Sequence, residues 1–207
     1  MTVGTDVRRE SPRSKRTRIL TAAIDQFGKV GYEHTKWASI ADEVGIGQTA
    51  LYHYFESKAH CLLTIMRIEL ADSAARFVAA TDGVTHAEDA LRGAIAASLA
   101  ASPQDALARR ILHNHMDLLA TERQSAKEEA ERVECRALVQ RIERDWTALV
   151  GRGIEAGQFA ESNPTMSARL VLALVVSVWR WYRPDGRLTI DEITALVTDA
   201  AIRVVRK

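Results

Sequence analysis

Disulfide chemistry is the first thing this 207-residue chain does without. Its two cysteines, Cys61 and Cys135, lie far apart, and neither has a second cysteine at C-x-x-C spacing. That excludes a zinc ribbon and a redox pair, and two isolated thiols fit a reducing cytoplasm. Proline and phenylalanine are scarce, four of each, while alanine, leucine, arginine and glutamate are plentiful, which favours helix over sheet. Long apolar runs are missing too. The most apolar stretch, LVLALVVSVW at 170–179, is closed off by Arg169 and Arg180, is too short to span a bilayer and reads as a buried helix. No apolar segment follows the basic residues near the start, so no secretory leader is expected, and no membrane partner. The net charge is only +1, so no global field demands a nucleic acid. No G-x-S-x-G, H-E-x-x-H or Walker loop occurs, so neither an enzyme, a cofactor nor a metal site is expected.

The charge that is present is unevenly placed. Within residues 1–20 stand six basic groups (Arg8, Arg9, Arg13, Lys15, Arg16, Arg18) against two acidic ones (Asp6, Glu10). A basic arm on a neutral body suggests a polyanionic partner, though a solvated, disordered tail has the same composition. Beyond it, almost every segment carries the 3.6-residue period and none alternates like a strand. Helices are expected at about 11–28, 35–44, 48–54, 57–80, 87–101, 105–121, 125–156, 164–182 and 190–205. Thr35 is read as the cap of the second and Gly45 as the left-handed end of the same helix. In the seventh, Val133, Ala137, Gln140, Ile142, Trp146, Leu149 and Val150 mark the side expected to be buried.

One stretch has two readings. GIGQTA at 45–50 fits G-x-G-x-x-A, a form of the dinucleotide fingerprint. That fingerprint needs a buried strand in front of it, whereas ASIADEV is amphipathic helix and no βαβ pattern follows. The alternative is a helix-turn-helix: two short helices joined by a tight turn at Gly45–Gly47, the second free to enter a major groove. Its outer face carries Gln48, Thr49, Tyr52 and His53, each able to contact a base edge or a phosphate. Thr35, Lys36 and Lys58, at helix starts, are placed for phosphates. Tyr54 and Phe55 are expected to be mostly core.

The segment ILTAAIDQFGKVGYEHTKWASIADEVGIGQTALYHYFESKAHCL, residues 19–62, resembles the DNA-binding domain of the TetR family of transcriptional regulators. Two positions depart from that pattern: Gly47 replaces the usual Ser or Thr cap, and Thr49 replaces a small residue. The resemblance implies an all-α fold of about nine helices. It would comprise a disordered basic arm (1–12), a three-helix helix-turn-helix domain (13–56), and a larger ligand-binding and dimerisation domain (57–207). It further implies a cytoplasmic homodimer on a palindromic double-stranded DNA operator, a repressor released by a small hydrophobic effector. The differing alternative is an architectural DNA-binding protein with no ligand.

Residues 177–193, SVWRWYRPDGRLTIDEI, are similar to the C-terminal segment of TetR-type regulators of lipid and steroid breakdown, some responsive to CoA thioesters. This brings a lipid or acyl-CoA-like metabolite among the candidates, although LVLALVV stands upstream where a CoA site would want a cation. Phe77, Leu112, His113, Met116, Trp146 and Phe159 are the candidate pocket residues. Apolar patterning all round the eighth helix and along the ninth asks for a second surface. Val175, Val178, Trp179, Tyr182, Leu196 and Ala200 are the candidate dimer contacts. In HNHMD, His113 and His115 point apart on a helix and cannot share a metal, whereas His113 and Asp117 at i, i+4 can meet.

Overall fold

The computed structural model describes residues 11–206, and among these it contains nine α-helices, one 3-10 turn and no strand. Most of the expected basic arm, residues 1–10, lies outside the described residues. Its last two positions are not arm at all. Ser11 caps the first helix by accepting from the Ser14 N–H, and Pro12 occupies the first turn, where a missing N–H costs nothing.

Two compact units divide between Leu62 and Leu63, so α4 gives its first turn to one and its remainder to the other. The first unit holds α1 (Pro12–Lys29), α2 (Trp37–Val44), α3 (Gln48–Tyr54) and the start of α4 (Lys58–Thr81). Ile19, Ala23 and Phe27 of α1, all four of Trp37, Ile40, Ala41 and Val44, and Leu51 with Phe55 form its core. Gly45 ends α2 in the left-handed region at φ 73°, which lets the Ile46 N–H reach back to Ala41 O at 3.0 Å. That turn aims α3 away from α2.

The second unit holds the rest of α4, α5 (Ala87–Leu99), α6 (Pro103–Asn114), α7 (Ala126–Glu155), α8 (Pro164–Trp181) and α9 (Ile190–Val205). α8 packs on α6, α7 and α9, and α5 on α7 and α9. Reciprocal capping boxes, Ser102 with Asp105 and Thr189 with Glu192, start α6 and α9. Two expectations are corrected here. The sixth helix does not run on to residue 121: it stops at Asn114, the His115 backbone leaves the helical region at φ −123°, and a 3-10 turn (Met116–Leu119) follows. His113 and Asp117 therefore do not share a helix. In α7 the predicted buried side holds only from Ile142 onward. Val133, Ala137 and Gln140 are exposed, and Arg132 and Cys135 are buried in their place. Arg132 can go inside because Glu129 pairs with it and Leu119 O accepts from its Nη1 at 3.0 Å. Among the described residues no helix is long and apolar enough to cross a membrane.

Candidate DNA-binding surface and ligand pocket

In the first unit, Leu51 and Phe55 anchor α3 to the core, and this sets what the rest of the short helix presents. Gln48, Thr49, Tyr52 and His53 are all exposed, at i, i+1, i+4 and i+5, so they share one face. Lys36 is exposed at the start of α2. Tyr54 is half-buried.

Two residues expected at phosphates are engaged elsewhere. Thr35 is 4% exposed, and its hydroxyl donates to Gly31 O at 2.7 Å and Gln26 O at 3.2 Å. It brackets the end of α1 rather than capping α2, whose cap position is Lys36. Lys58 turns its Nζ onto Tyr32 O (2.7 Å) and Thr35 O (3.1 Å) and lies 4.3 Å from the Tyr32 ring centroid. It pins the loop between α1 and α2. Removing it is therefore predicted to act first on folding. Lys58→Met is expected to lower the urea unfolding free energy by about 1–2 kcal/mol, since its hydrogen bonds are charge-assisted and partly solvated. Unchanged stability together with a shallower salt dependence of DNA binding would instead return Lys58 to the phosphate backbone.

The second unit holds a partly open cavity of about 280 Å³. Leu112, His113, Met116 and Trp146, named from the sequence, line it. Phe77 and Phe159 do not. Phe77 sits behind the wall, its ring 5.2 Å from that of Trp146. Phe159 folds back over Gly153, where no side chain stands in its way. Sequence reading missed the polar part of the lining: Glu69 and Arg76 from α4 and Arg109 from α6. A signal was there for Arg109, which shares a stripe with Ala106, Ala108 and Leu112 on the buried side of α6.

The cavity also claims residues expected at a dimer face. Trp179 and Val175 line it, and Val178 is fully buried. These three belong to the chain's own core, so the assignment is corrected: a side chain enclosed within one chain has no surface left for a partner. Tyr182 is half-buried, with its ring edge-on to Trp179. Leu196 and Ala200 are exposed, and on α8 the outward stripe runs through Met166, Leu170, Ala173, Ser177 and Trp181.

His113 is the cavity's titratable marker. Burial, then the cations Arg109 and Arg180, pull its pKa down to about 4. It is neutral when folded, while the unfolded chain takes up its proton near the ordinary value of about 6.5. The unfolded state therefore binds more protons between these limits, and stability falls as pH drops from about 6.5 towards 4. The full loss is predicted at roughly 3 kcal/mol. Urea titrations at pH 7 and pH 5 of the parent and of His113→Gln check it: the variant is expected to lose most of the difference, and equal slopes in both would refute the assignment.

Known proteins share this layout. Residues 19–65 match the model for bacterial regulatory proteins of the tetR family, and residues 84–205 match that of the tetracyclin repressor-like C-terminal domain. The chain is 30% identical over 189 residues, 87% of each sequence, to the HTH-type transcriptional repressor KstR2 of Mycobacterium tuberculosis. Among solved structures, the TetR family regulator PfmR from Thermus thermophilus superposes with a TM-score of 0.78 at 28% identity, over 90% of this chain and 97% of that one. AibR, solved in complex with isovaleryl coenzyme A and operator DNA, matches with a TM-score of 0.74 at 20% identity, over 90% and 97% of the two chains. With an exposed polar face on α3, an all-helical second unit and family matches to both halves, the chain belongs to the TetR family of DNA-binding transcriptional regulators.

Proposed function

We propose that the protein is a homodimeric repressor of a palindromic operator, acting in the cytoplasm and released when a small hydrophobic effector fills the cavity of the second unit. The cavity is the observation that carries the reading. An architectural DNA-binding protein has no use for a concave, largely apolar pocket with a few convergent polar groups, and such a pocket is what a small-molecule site needs. The effector class is lipid- or acyl-CoA-like, a reading supported by KstR2 of Mycobacterium tuberculosis, whose solved structure is that of a ketosteroid transcriptional regulator, and by the isovaleryl coenzyme A bound to AibR.

Gln48, Thr49, Tyr52 and His53 would read base edges, with Lys36 on the backbone. Two such faces, one per protomer, would sit about one DNA turn apart, roughly 34–36 Å. The pairing surface would be the outward stripe of α8 together with Leu196 and Ala200 on α9, which are apolar and solvent-facing in the single chain. The effector acts only through its differential affinity for the two arrangements. α4 is the natural carrier of that difference, because it holds Lys58 in the first unit and contributes Glu69, Leu70, Ser73 and Arg76 to the cavity in the second.

The test is fluorescence anisotropy on DNA flanking the protein's own gene and on random DNA, at two salt concentrations. Preference for the flanking DNA by on the order of a thousandfold, weakened in Tyr52→Phe, is the expected result. Equal and strongly salt-sensitive binding to both would favour the architectural protein.

A further inference from the structure

We propose that the part of the effector inside the cavity is uncharged and carries one hydrogen-bonding oxygen, a ketone or an alcohol, and that the imidazole of His113 holds it. The inference rests on the reading of the cavity as the effector site. It follows from which polar groups of the wall are already engaged within the protein and which are left over. Glu69 Oε1 accepts from Arg76 Nη2 at 2.8 Å and from Arg109 Nε at 3.0 Å. The same two guanidiniums act on the Asp105 carboxylate, and Arg109 Nη1 donates to Ser98 O at 3.0 Å. The Ser98 hydroxyl donates to Ala94 O at 2.8 Å. Glu143, exposed, adds a third carboxylate to the lining, and Arg180, also exposed, acts on His113 as a third cation. Three cations stand against three carboxylates. The wall favours neither sign, so a charge on the ligand would give up its water without gaining a counterion.

His113 is what remains. It lines the cavity from α6, and neither of its ring nitrogens has a hydrogen-bond partner among the described residues. Both nitrogens keep accessible surface, whereas the Arg76 Nε–H is sealed. His115, two residues on, differs: its Nδ1 is 2.8 Å from Ile111 O. Burial, then Arg109 and Arg180, keep the His113 ring neutral at pH 7. A neutral imidazole offers one N–H and one lone pair, so it donates to a ketone or hydroxyl oxygen, or accepts from a hydroxyl. The other neutral group of the lining without a partner among the described residues is the Ser73 hydroxyl on α4, open to a second oxygen. The rest of the lining is apolar, with Leu70, Leu112, Met116, Ile142, Trp146 and Trp179. The volume, about 280 Å³, is at the small end of ligand sites and suits a compact ring or short chain.

Trp146 and Trp179 stand in the wall, so tryptophan fluorescence of the full-length protein reads occupancy of the cavity. The probes are decalone, decalol, decalin, decalincarboxylic acid and decalylamine, which share one body and differ in one group. The ketone or the alcohol is expected to bind about fivefold more tightly than the hydrocarbon, the size of a neutral hydrogen bond, and at least about tenfold more tightly than the acid or the amine. In His113→Leu the lead over the hydrocarbon is expected to shrink to within about twofold, while His113→Gln, which keeps an N–H, retains it. If His113→Leu does not fold, His113→Phe takes its place. The acid or the amine binding best, or ketone, alcohol and hydrocarbon binding equally, overturns the neutral oxygen and leaves the effector site standing. A lead that survives the loss of the imidazole overturns the role of His113. Binding of none of the probes overturns the inference and counts against the cavity as an effector site.

Discussion

Leu170→Glu combined with Leu196→Glu is expected to yield a folded monomer whose operator affinity is lower by about a thousandfold. Both side chains are more than half exposed in the single chain, 51% and 61%, so charging them breaks no internal packing. Surface substitutions of this kind usually change stability by within about 0.5 kcal/mol. In the proposed dimer the same positions face one another across a two-fold axis, where unpaired carboxylates lose their water. A lone protomer keeps one reading face. It forfeits the gain from engaging two half-sites at once, which for linked modules amounts to about 10²–10⁴ in affinity. Sedimentation velocity gives the mass and anisotropy the affinity. A variant that stays dimeric would move the interface elsewhere, and a monomer with full affinity would remove dimerisation from operator binding.

Gly153→Ala is expected to destabilise the second unit by about 2 kcal/mol, against the usual helix rule. Alanine in place of glycine inside a helix ordinarily gains nearly 1 kcal/mol. Here the new methyl would fall within 2.9 Å of Phe159 Cγ and closer still to one edge of the ring. The ring has little freedom to withdraw. It is 3% exposed, and Gly153 O accepts from the N–H groups of Gln158 (2.9 Å) and Phe159 (3.0 Å). The same turn ties two other helices: Gln158 Oε1 accepts from the Ala87 N–H at the start of α5, and the Ala160 N–H donates to Val205 O at the end of α9. Overpacking in such a place costs about 1–3 kcal/mol and exceeds the propensity gain. Urea unfolding measures it, and adding Phe159→Leu is expected to restore most of the loss. A more stable Gly153→Ala would mean that the turn yields freely.

Helix positions and the exposed polar face of α3 were legible because they rest on local rules. The period of Trp37, Ile40, Ala41 and Val44 places α2, and the left-handed glycine after it places the turn. What local rules could not show is which acceptors a polar side chain will find. Thr35 and Lys58 look like phosphate contacts by position, yet carbonyls from the α1–α2 loop, distant in sequence from Lys58, capture them. The cavity repeats the lesson. Apolar periodicity found Leu112, Met116 and Trp146, but it treats charge as surface and so passed over Glu69, Arg76 and Arg109, which are tolerated inside because they pair with each other. Likewise, Val175, Val178 and Trp179 were read as surplus because a single helix cannot say which of its apolar sides meets its own chain and which meets a partner.

The shortness of α3 has a dynamic consequence. It has seven residues, no side-chain hydrogen bond caps its start at Gly47, and the Phe55 backbone N–H closes its end on Leu51 O. A helix of that length has little stability of its own and takes its order from the seating of Leu51 and Phe55. We therefore expect its amides to open far below the global unfolding free energy, as a separate local unit. On warming, the protein would then lose the ability to recognise its operator while the rest of the chain remains folded. Hydrogen exchange read by mass spectrometry would show residues 48–54 exchanging well ahead of α7 and α8, and uniform protection across all three would show that the helix opens only with the whole.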